Sequence, residues 1–165
     1  MRQSDEKFDE LLAANASRID RILSSYERRP AVRAELRQEV ALALWQALPG
    51  FRGEASARTF VARIAHNIGA SHVRRDVRRP GSETVDEALP SQAPGVEDAL
   101  QRVQQHERLA DAVRRLPLGQ RQAVVLYLED FSQAEIAATL GITEGAVAVR
   151  LTRARDALAA SMREP

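Results

Sequence analysis

The chain of 165 residues contains no cysteine, and only 4% of its residues are aromatic. The first absence excludes disulfides and cysteine-based zinc sites, and is compatible with a reducing compartment. The second comes with a scarcity of alternating Val/Ile/Tyr/Phe runs, which argues against sheets. Ala and Leu supply most of the 44% hydrophobic content, a balance that favours helices. No run approaches the ~20 apolar residues needed to span a bilayer. Met1 to Glu10 is polar and mixed in charge, without the apolar centre of a signal peptide. No membrane insertion is expected, and a cytoplasmic location is. Histidine is scarce as well: His66, His72 and His106 are the only ones. His66 and His72 are six residues apart, about 240° around a helix, and so do not form a metal pair. There is no Gly-rich phosphate loop and no nucleophile elbow. No catalytic residue, metal or cofactor is therefore expected, and the chain is read as not an enzyme.

The net charge of +1 says little about partners, but its distribution says more. Residues 1–80 carry 15 Lys/Arg against 10 Asp/Glu, residues 81–96 three acids and no base, and residues 97–165 nine bases against ten acids. A basic N-terminal half suits a polyanion, although a mixed surface with a chance excess gives the same count. The segment 80–96 holds Pro80, Gly81, Ser82, Pro90, Ser91, Pro94 and Gly95 with few large apolar residues, and reads as a flexible linker. The fold class that follows is all-α: two small helical domains, 1–79 and 97–165, joined by the linker 80–96.

Helical periodicity predicts helices from about Ser4 to Tyr26, Ala31 to Leu48 and Ala57 to Arg78 in the first domain. Ser56 is the predicted N-cap of the third, and Pro80 lies beyond its end. In the second domain a helix is expected from about Val96 to Leu116. Pro117 opens the next, which runs to about Leu128. Ser132 and Glu135 have capping-box spacing, Gly141 is a C-terminal stop, and Thr143 can cap a last helix to about Met162.

Three stretches carry the functional signal. In Ser132 to Arg155, Ala137, Gly141 and Val147 have helix-turn-helix spacing. A small residue allows the helices to cross, glycine takes the turn, and valine anchors the second helix. Val147, Leu151, Ala154 and Leu158 form its buried stripe, with Arg150 and Arg153 facing out beside Ala146. In Leu36 to Leu48, an apolar stripe of Leu36, Val40, Ala43, Leu44 and Ala47 is backed by Leu42 and Trp45, roughly 140–160° away. A helix apolar on both sides either lies between two elements of its own domain or docks on a partner, and Trp is enriched at interface hot spots. Third, Phe51-Arg52-Gly53-Glu54-Ala55-Ser56 leads into a capped helix. On that helix Arg63, Asn67, Ala70 and Arg74 form a polar stripe opposite Val61, Ile64, Ala65 and Ile68. The basic end at Arg74, Arg75, Arg78 and Arg79 suits single-stranded nucleic acid, or simply the helix dipole.

With these residues in this order, the chain resembles the extracytoplasmic-function group of bacterial RNA polymerase sigma factors over nearly its whole length. The resemblance rests on Leu36-Arg37-Gln38-Glu39-Val40 through Leu44-Trp45 and on Phe51 to Ser56 through Arg58-Thr59-Phe60. It continues through Arg63-Ile64-Ala65-His66-Asn67 and Arg74-Arg75. The last stretch is Leu116-Pro117 with Ser132 to Ala137, Leu140-Gly141-Ile142, Val147 and Arg150 to Arg155. It implies a region-2-like domain over 1–79 and a region-4-like helix-turn-helix domain over 97–165. Glu35, Leu36, Gln38, Glu39, Leu42 and Trp45 would dock on core RNA polymerase. Phe51, Arg52, Gly53, Ser56, Arg63, Asn67, Ser71, Arg74 and Arg75 would meet the minus-ten DNA and assist melting. Thr143, Glu144, Gly145, Ala146, Arg150 and Arg153 would read the minus-thirty-five element. The implied partners are core polymerase, promoter DNA and an anti-sigma factor.

The chain departs from the usual pattern of this group. Arg33-Ala34 stand where acids are common, Ser71 where Asp is common, and Phe60 where Trp is common. Ala146, Ala148 and Val149 replace frequent Thr, Lys and Ser, removing donors to phosphates and bases. The other reading is a stand-alone helix-turn-helix regulator binding operator DNA, which explains Ser132 to Arg155 but leaves the first domain without a task.

Overall fold

The computed structural model describes residues 2–77 and 97–163. Seven α-helices follow one another in these residues: α1 (Arg2–Ser24), α2 (Pro30–Ala47), α3 (Ala57–Val77), α4 (Glu97–Arg115), α5 (Leu118–Leu128), α6 (Gln133–Leu140) and α7 (Glu144–Ser161). A short 3₁₀ turn, Leu48–Gly50, ends α2. Among the described residues there is no strand, as the composition predicts. The expected linker 80–96 lies outside the described residues, as do Arg78 and Arg79.

Helices α1, α2 and α3 pack on one another through Ile19, Ile22, Leu23, Leu36, Val40, Leu44, Val61, Ala62 and Ala65, all buried. Residues spaced three and four apart on each helix supply one apolar face apiece, and the three faces close on one another. Ser56 caps α3 by accepting from the Thr59 backbone N–H at 3.2 Å. At Gly69 the end of α1 comes very close to α3, because a Cβ there would overlap the ring carbons of Tyr26. Tyr26 and His66 share a hydrogen bond of 2.5 Å between the phenol oxygen and Nδ1. Burial pushes the His66 imidazole down to about 3, so it is neutral at ordinary pH.

The loop between α1 and α2 is organised by Glu27, whose side chain is buried. It accepts from the Arg29 backbone N–H at 2.7 Å, from Arg29 Nε at 3.0 Å and Nη2 at 2.8 Å, and lies 2.8 Å from His72 Nε2. Burial by itself would raise this carboxyl; the hydrogen bonds from Arg29 and His72 outweigh it and hold the group at about 2. Arg33 reaches back to donate to the carbonyls of Arg28 (2.7 Å) and Glu27 (3.3 Å). A base at this point of the chain therefore closes the loop ahead of α2.

Helices α4 to α7 form the second unit, centred on Val113, Leu116, Ala123, Leu126, Phe131, Ile136, Val147, Leu151 and Ala154. The capping box at α6 is complete: the Glu135 N–H donates to Ser132 Oγ (3.2 Å), and the Ser132 N–H donates to Glu135 Oε2 (2.8 Å). Gly141 takes φ 67 at the turn and Thr143 Oγ1 accepts from the Ala146 N–H at 3.1 Å. These are the local features that the sequence predicts for a helix-turn-helix. Pro117 differs slightly, standing as the residue before α5 and not as its first.

Substitutions at Gly69 and Glu27 test this packing. Gly69→Ala would ordinarily stabilise a helix by about 1 kcal/mol. Here the displaced, buried Tyr26 ring should outweigh that gain, by an overpacking cost of about 1–3 kcal/mol. Urea unfolding should show a net loss, and a net gain would show that Tyr26 is not fixed against α3. Glu27→Gln should cost roughly 1–3 kcal/mol through its charged hydrogen bonds. Because the folded carboxyl lies below its unfolded value near 4.3, its contribution is complete above that pH and disappears as pH falls toward 2. The stability curves of the wild type and the Glu27→Gln variant should therefore draw together below about pH 4 and converge only below about pH 2.

Candidate nucleic-acid and polymerase interface

The second helix shows the two-sided character that its sequence suggests. Leu36, Val40 and Leu44 are buried, whereas Leu42 is 58% exposed and Trp45 45% exposed on the opposite side. Trp45 meets Phe8 of α1 edge-on, with ring centroids 5.3 Å apart. This contact fixes the indole while leaving nearly half of it in solvent. Glu35, Gln38 and Glu39 are exposed beside it. Leu36, expected on the docking surface, is instead a core residue at 2% exposure. Its position one stripe away from Leu42 turns it inward, so it can position the helix but cannot touch a partner.

The loop after α2 is drawn against α3 by Phe51, whose ring stacks on Phe60 with centroids 4.5 Å apart and planes 29° from parallel. Gly53 has φ 75, which an L side chain would strain, while Arg52 and Ser56 are exposed. Continuing along α3, Arg63, Asn67, Ser71 and Arg74 are all exposed and spaced by four, four and three residues, which makes one stripe. Ala70, expected on this polar stripe, is buried at 2% exposure. It lies one residue short of Ser71, enough to rotate it by about 100° into the core. Arg75 is exposed and pairs with Glu39 at 3.5 Å, linking the end of the stripe to α2.

On α7, Val147, Leu151 and Ala154 face inward. Thr143, Glu144, Gly145 and Arg153 are exposed and Ala146 is partly covered. Arg150 is half-buried, its guanidinium lying over Gly119 so closely that a Cβ there would be 3.0 Å from Cζ. Arg155 lies over the Tyr127 ring at 5.3 Å, a cation–π distance. The exposed N-terminal half of α7 thus carries few long polar side chains, in line with the small residues in its sequence.

Several contacts are not foreseeable from periodicity. Arg58 of α3 pairs with Glu135 of α6 at 2.7 Å and lies 4.4 Å over the Phe131 ring. Arg63 donates to the Ala138 carbonyl at 2.6 Å. Arg21 donates twice to Glu129, at 2.5 and 2.8 Å, and Arg114 donates to the Ser24 carbonyl at 2.9 Å. Together they form a polar seam between the two helical units. The Arg58 hydrogen bond, with the Ser132 N–H, holds the Glu135 carboxyl at about 2. As for metals, Glu27, His72 and Asp76 bring ligand atoms within 4.8 Å of one another. The Arg29 guanidinium, 2.8 Å from Glu27 and 3.7 Å from Asp76, already supplies the positive charge there. No described helix is long and apolar enough to cross a membrane.

The same two units are recognised in comparisons with known proteins. Residues 11–79 match the family model for sigma-70 region 2, and residues 106–158 match that for sigma-70 region 4. The ECF RNA polymerase sigma factor SigC of Mycobacterium tuberculosis is 34% identical over 134 residues, covering 76% of this chain and 68% of that protein. The probable RNA polymerase sigma factor RfaY of Xanthomonas campestris is 28% identical over 157 residues; 91% of this chain matches, and it spans only 39% of that protein. Among solved structures, the sigma factor RpoE of Bartonella quintana, determined with the anti-sigma factor NepR, superposes with a TM-score of 0.75. The match is 20% identical and covers 96% of this chain and 98% of that one.

Proposed function

Because this chain belongs to the sigma-70 family, as an extracytoplasmic-function sigma factor for promoter recognition by RNA polymerase, we propose a division of labour among its surfaces. The outer side of α2, with Leu42, Trp45, Glu35, Gln38 and Glu39, docks on core RNA polymerase. The Phe51–Ser56 loop and the stripe Arg63, Asn67, Ser71 and Arg74, with Arg75, contact the minus-ten element and hold its separated strand. Helix α7, entered through Thr143, Glu144, Gly145 and Ala146 and flanked by Arg150 and Arg153, lies in the major groove of the minus-thirty-five element. The domains that do this are 1–79 and 97–165, connected by the linker 80–96. The protein acts in the cytoplasm as a recognition subunit without catalytic chemistry of its own, and an anti-sigma factor controls it.

The observation that carries the docking assignment is the exposure of Leu42 and Trp45 on the back of a helix whose other side is already core. Exposed large apolar groups at fixed positions mark a binding surface, and a Trp held by an edge contact loses little entropy on docking. For the minus-ten side, the support is an exposed cationic stripe next to an aromatic-lined loop, since phosphates need the first and unstacked bases the second.

Binding of the purified chain to core RNA polymerase tests this reading. Trp45→Ala and Leu42→Ala should each weaken binding about tenfold or more, as hot-spot truncations above 1 kcal/mol do, with thermal unfolding unchanged for Leu42→Ala and lowered only by the lost Phe8 contact for Trp45→Ala. Unweakened binding would remove α2 from the docking surface. DNA binding without any affinity for core would instead identify a stand-alone regulator.

A further inference from the structure

Around Tyr26 the interior of the seam gathers arginines with too little acid to match them. Arg121 of α5 is 9% exposed, and its guanidinium lies 5.8 Å from the Tyr26 ring. One of its nitrogens donates to the Leu116 carbonyl at 3.1 Å, while the buried Nε has no hydrogen-bond partner. Among the described residues no carboxylate pairs with it. Arg114 of α4 comes to the same place, donating to the Ser24 carbonyl at 2.9 Å and to Asp111. Asp111 is itself shared, since Arg28 lies 3.9 Å from it. Arg74, exposed on α3, is near enough to act on the Tyr26 hydroxyl, as Arg121 is.

The protein supplies no counter-charge for Arg121. Burial pulls its guanidinium below the usual value, and the like charge of Arg114 adds to this. Tyr26 cannot neutralise it, because burial pushes the phenol up and keeps it protonated. A desolvated guanidinium with an unused N–H is stabilised most by an anion that accepts from it. Its fork of parallel donors fits two oxygens of one group, which chloride cannot offer. Arginines arriving from three helices call for oxygens pointing in several directions and for more than one negative charge. A phosphate group, tetrahedral and close to doubly charged at neutral pH, has both. A duplex is too wide to reach a side chain that is 9% exposed, so the carrier is small.

We propose that Arg74, Arg114 and Arg121, beside Tyr26, frame a binding site for a small phosphate-bearing molecule where α1, α3, α4 and α5 meet. Its oxygens take the place of the acid that Arg121 lacks. Arg121 is the principal donor through Nε, Arg114 stands beside it, and Arg74 supplies charge at the outer edge. The site depends on neither the polymerase nor the DNA assignment above. It gives the chain a ligand that neither of those surfaces would bind.

The test titrates the full chain, labelled with nitrogen-15, with inorganic phosphate against sodium chloride of equal ionic strength, which removes general screening. The Arg121 Nε–Hε resonance, identified by its loss in Arg121→Met, should shift saturably. The thermal midpoint should rise by about 3–6 °C at ten times the Kd. Arg121→Met removes an unmatched buried charge and should fold at least as stably, but it should lose the phosphate-dependent rise. Arg121→Lys keeps the charge without the fork and should bind phosphate about tenfold more weakly. The same titration with adenosine 5′-monophosphate distinguishes free phosphate from a phosphate monoester, the tighter of the two naming the source. An equal rise in wild type and Arg121→Met would mean an adventitious ion only and overturn the site, as would an Arg121 resonance that does not move. A shift of that resonance by short duplex DNA, at concentrations where phosphate has no effect, would overturn the small ligand in favour of the DNA backbone.

Discussion

The close contact between Tyr26 and Gly69 is the constraint on which most of the molecule depends. It joins the end of α1 to the middle of α3 at a separation that no side chain larger than hydrogen permits. The phenol oxygen, buried by the same contact, needs a partner and finds it in His66, one turn earlier on α3. Ring and hydroxyl together fix both the distance and the rotation of α3 about its own axis. That rotation decides which residues face out, and so sets Arg63, Asn67, Ser71 and Arg74 along one line. The Tyr26 ring also faces Arg121 of α5, so the same residue touches the seam between the two units. Packing that orients the cationic stripe and packing that covers part of it meet at one side chain.

What can be read from the sequence divides along a physical line. Signals confined to one turn of helix are readable: Ser132 with Glu135, Gly141 in the left-handed region, Thr143 and Ser56 as caps. Each depends on local geometry within two or three residues, which does not change with the fold. Periodicity places the apolar stripes but not their edges, which is why Ala70 faces inward where the pattern points it outward; Leu36 faces inward as its stripe predicts, against the docking role that the family resemblance implies for it. Ala70 lies next to the exposed Ser71 and Leu36 next to the exposed Glu35, and one position of helix is about 100°. The seam is unreadable for a different reason. Arg58 and Glu135 are 77 residues apart, and nothing local distinguishes an arginine destined for a carboxylate from one destined for phosphate.

Arg33 and Phe60 illustrate how departures from a family pattern can be explained by their surroundings. Arg33 occupies a position where acids are common, and it binds the two carbonyls that end the α1–α2 loop. An acid could not make those bonds, so the loop and the residue change together. Phe60 stands where Trp is common, and it stacks on Phe51 with its ring nearly parallel. The smaller ring still builds the wall of the loop, with less area available to a base. Neither substitution disturbs the helices around it, because each acts on a loop closure and not on the core.

The distribution of arginines also bears on how promoter affinity is shared. Of the three on α7, Arg150 is folded over Gly119 and Arg155 over Tyr127; Arg153 is exposed at the surface. With Ala146, Ala148 and Val149 supplying no side-chain donors, this helix offers little beyond Arg153, Thr143 and its own N-terminal amides. Helix α3, by contrast, exposes Arg63, Arg74 and Arg75, next to a loop with Arg52. Phosphate contacts contribute affinity roughly in proportion to the charges neutralised. On the proposed DNA assignment, the N-terminal unit therefore carries the larger electrostatic share, and the helix-turn-helix acts mainly through shape and a few close contacts.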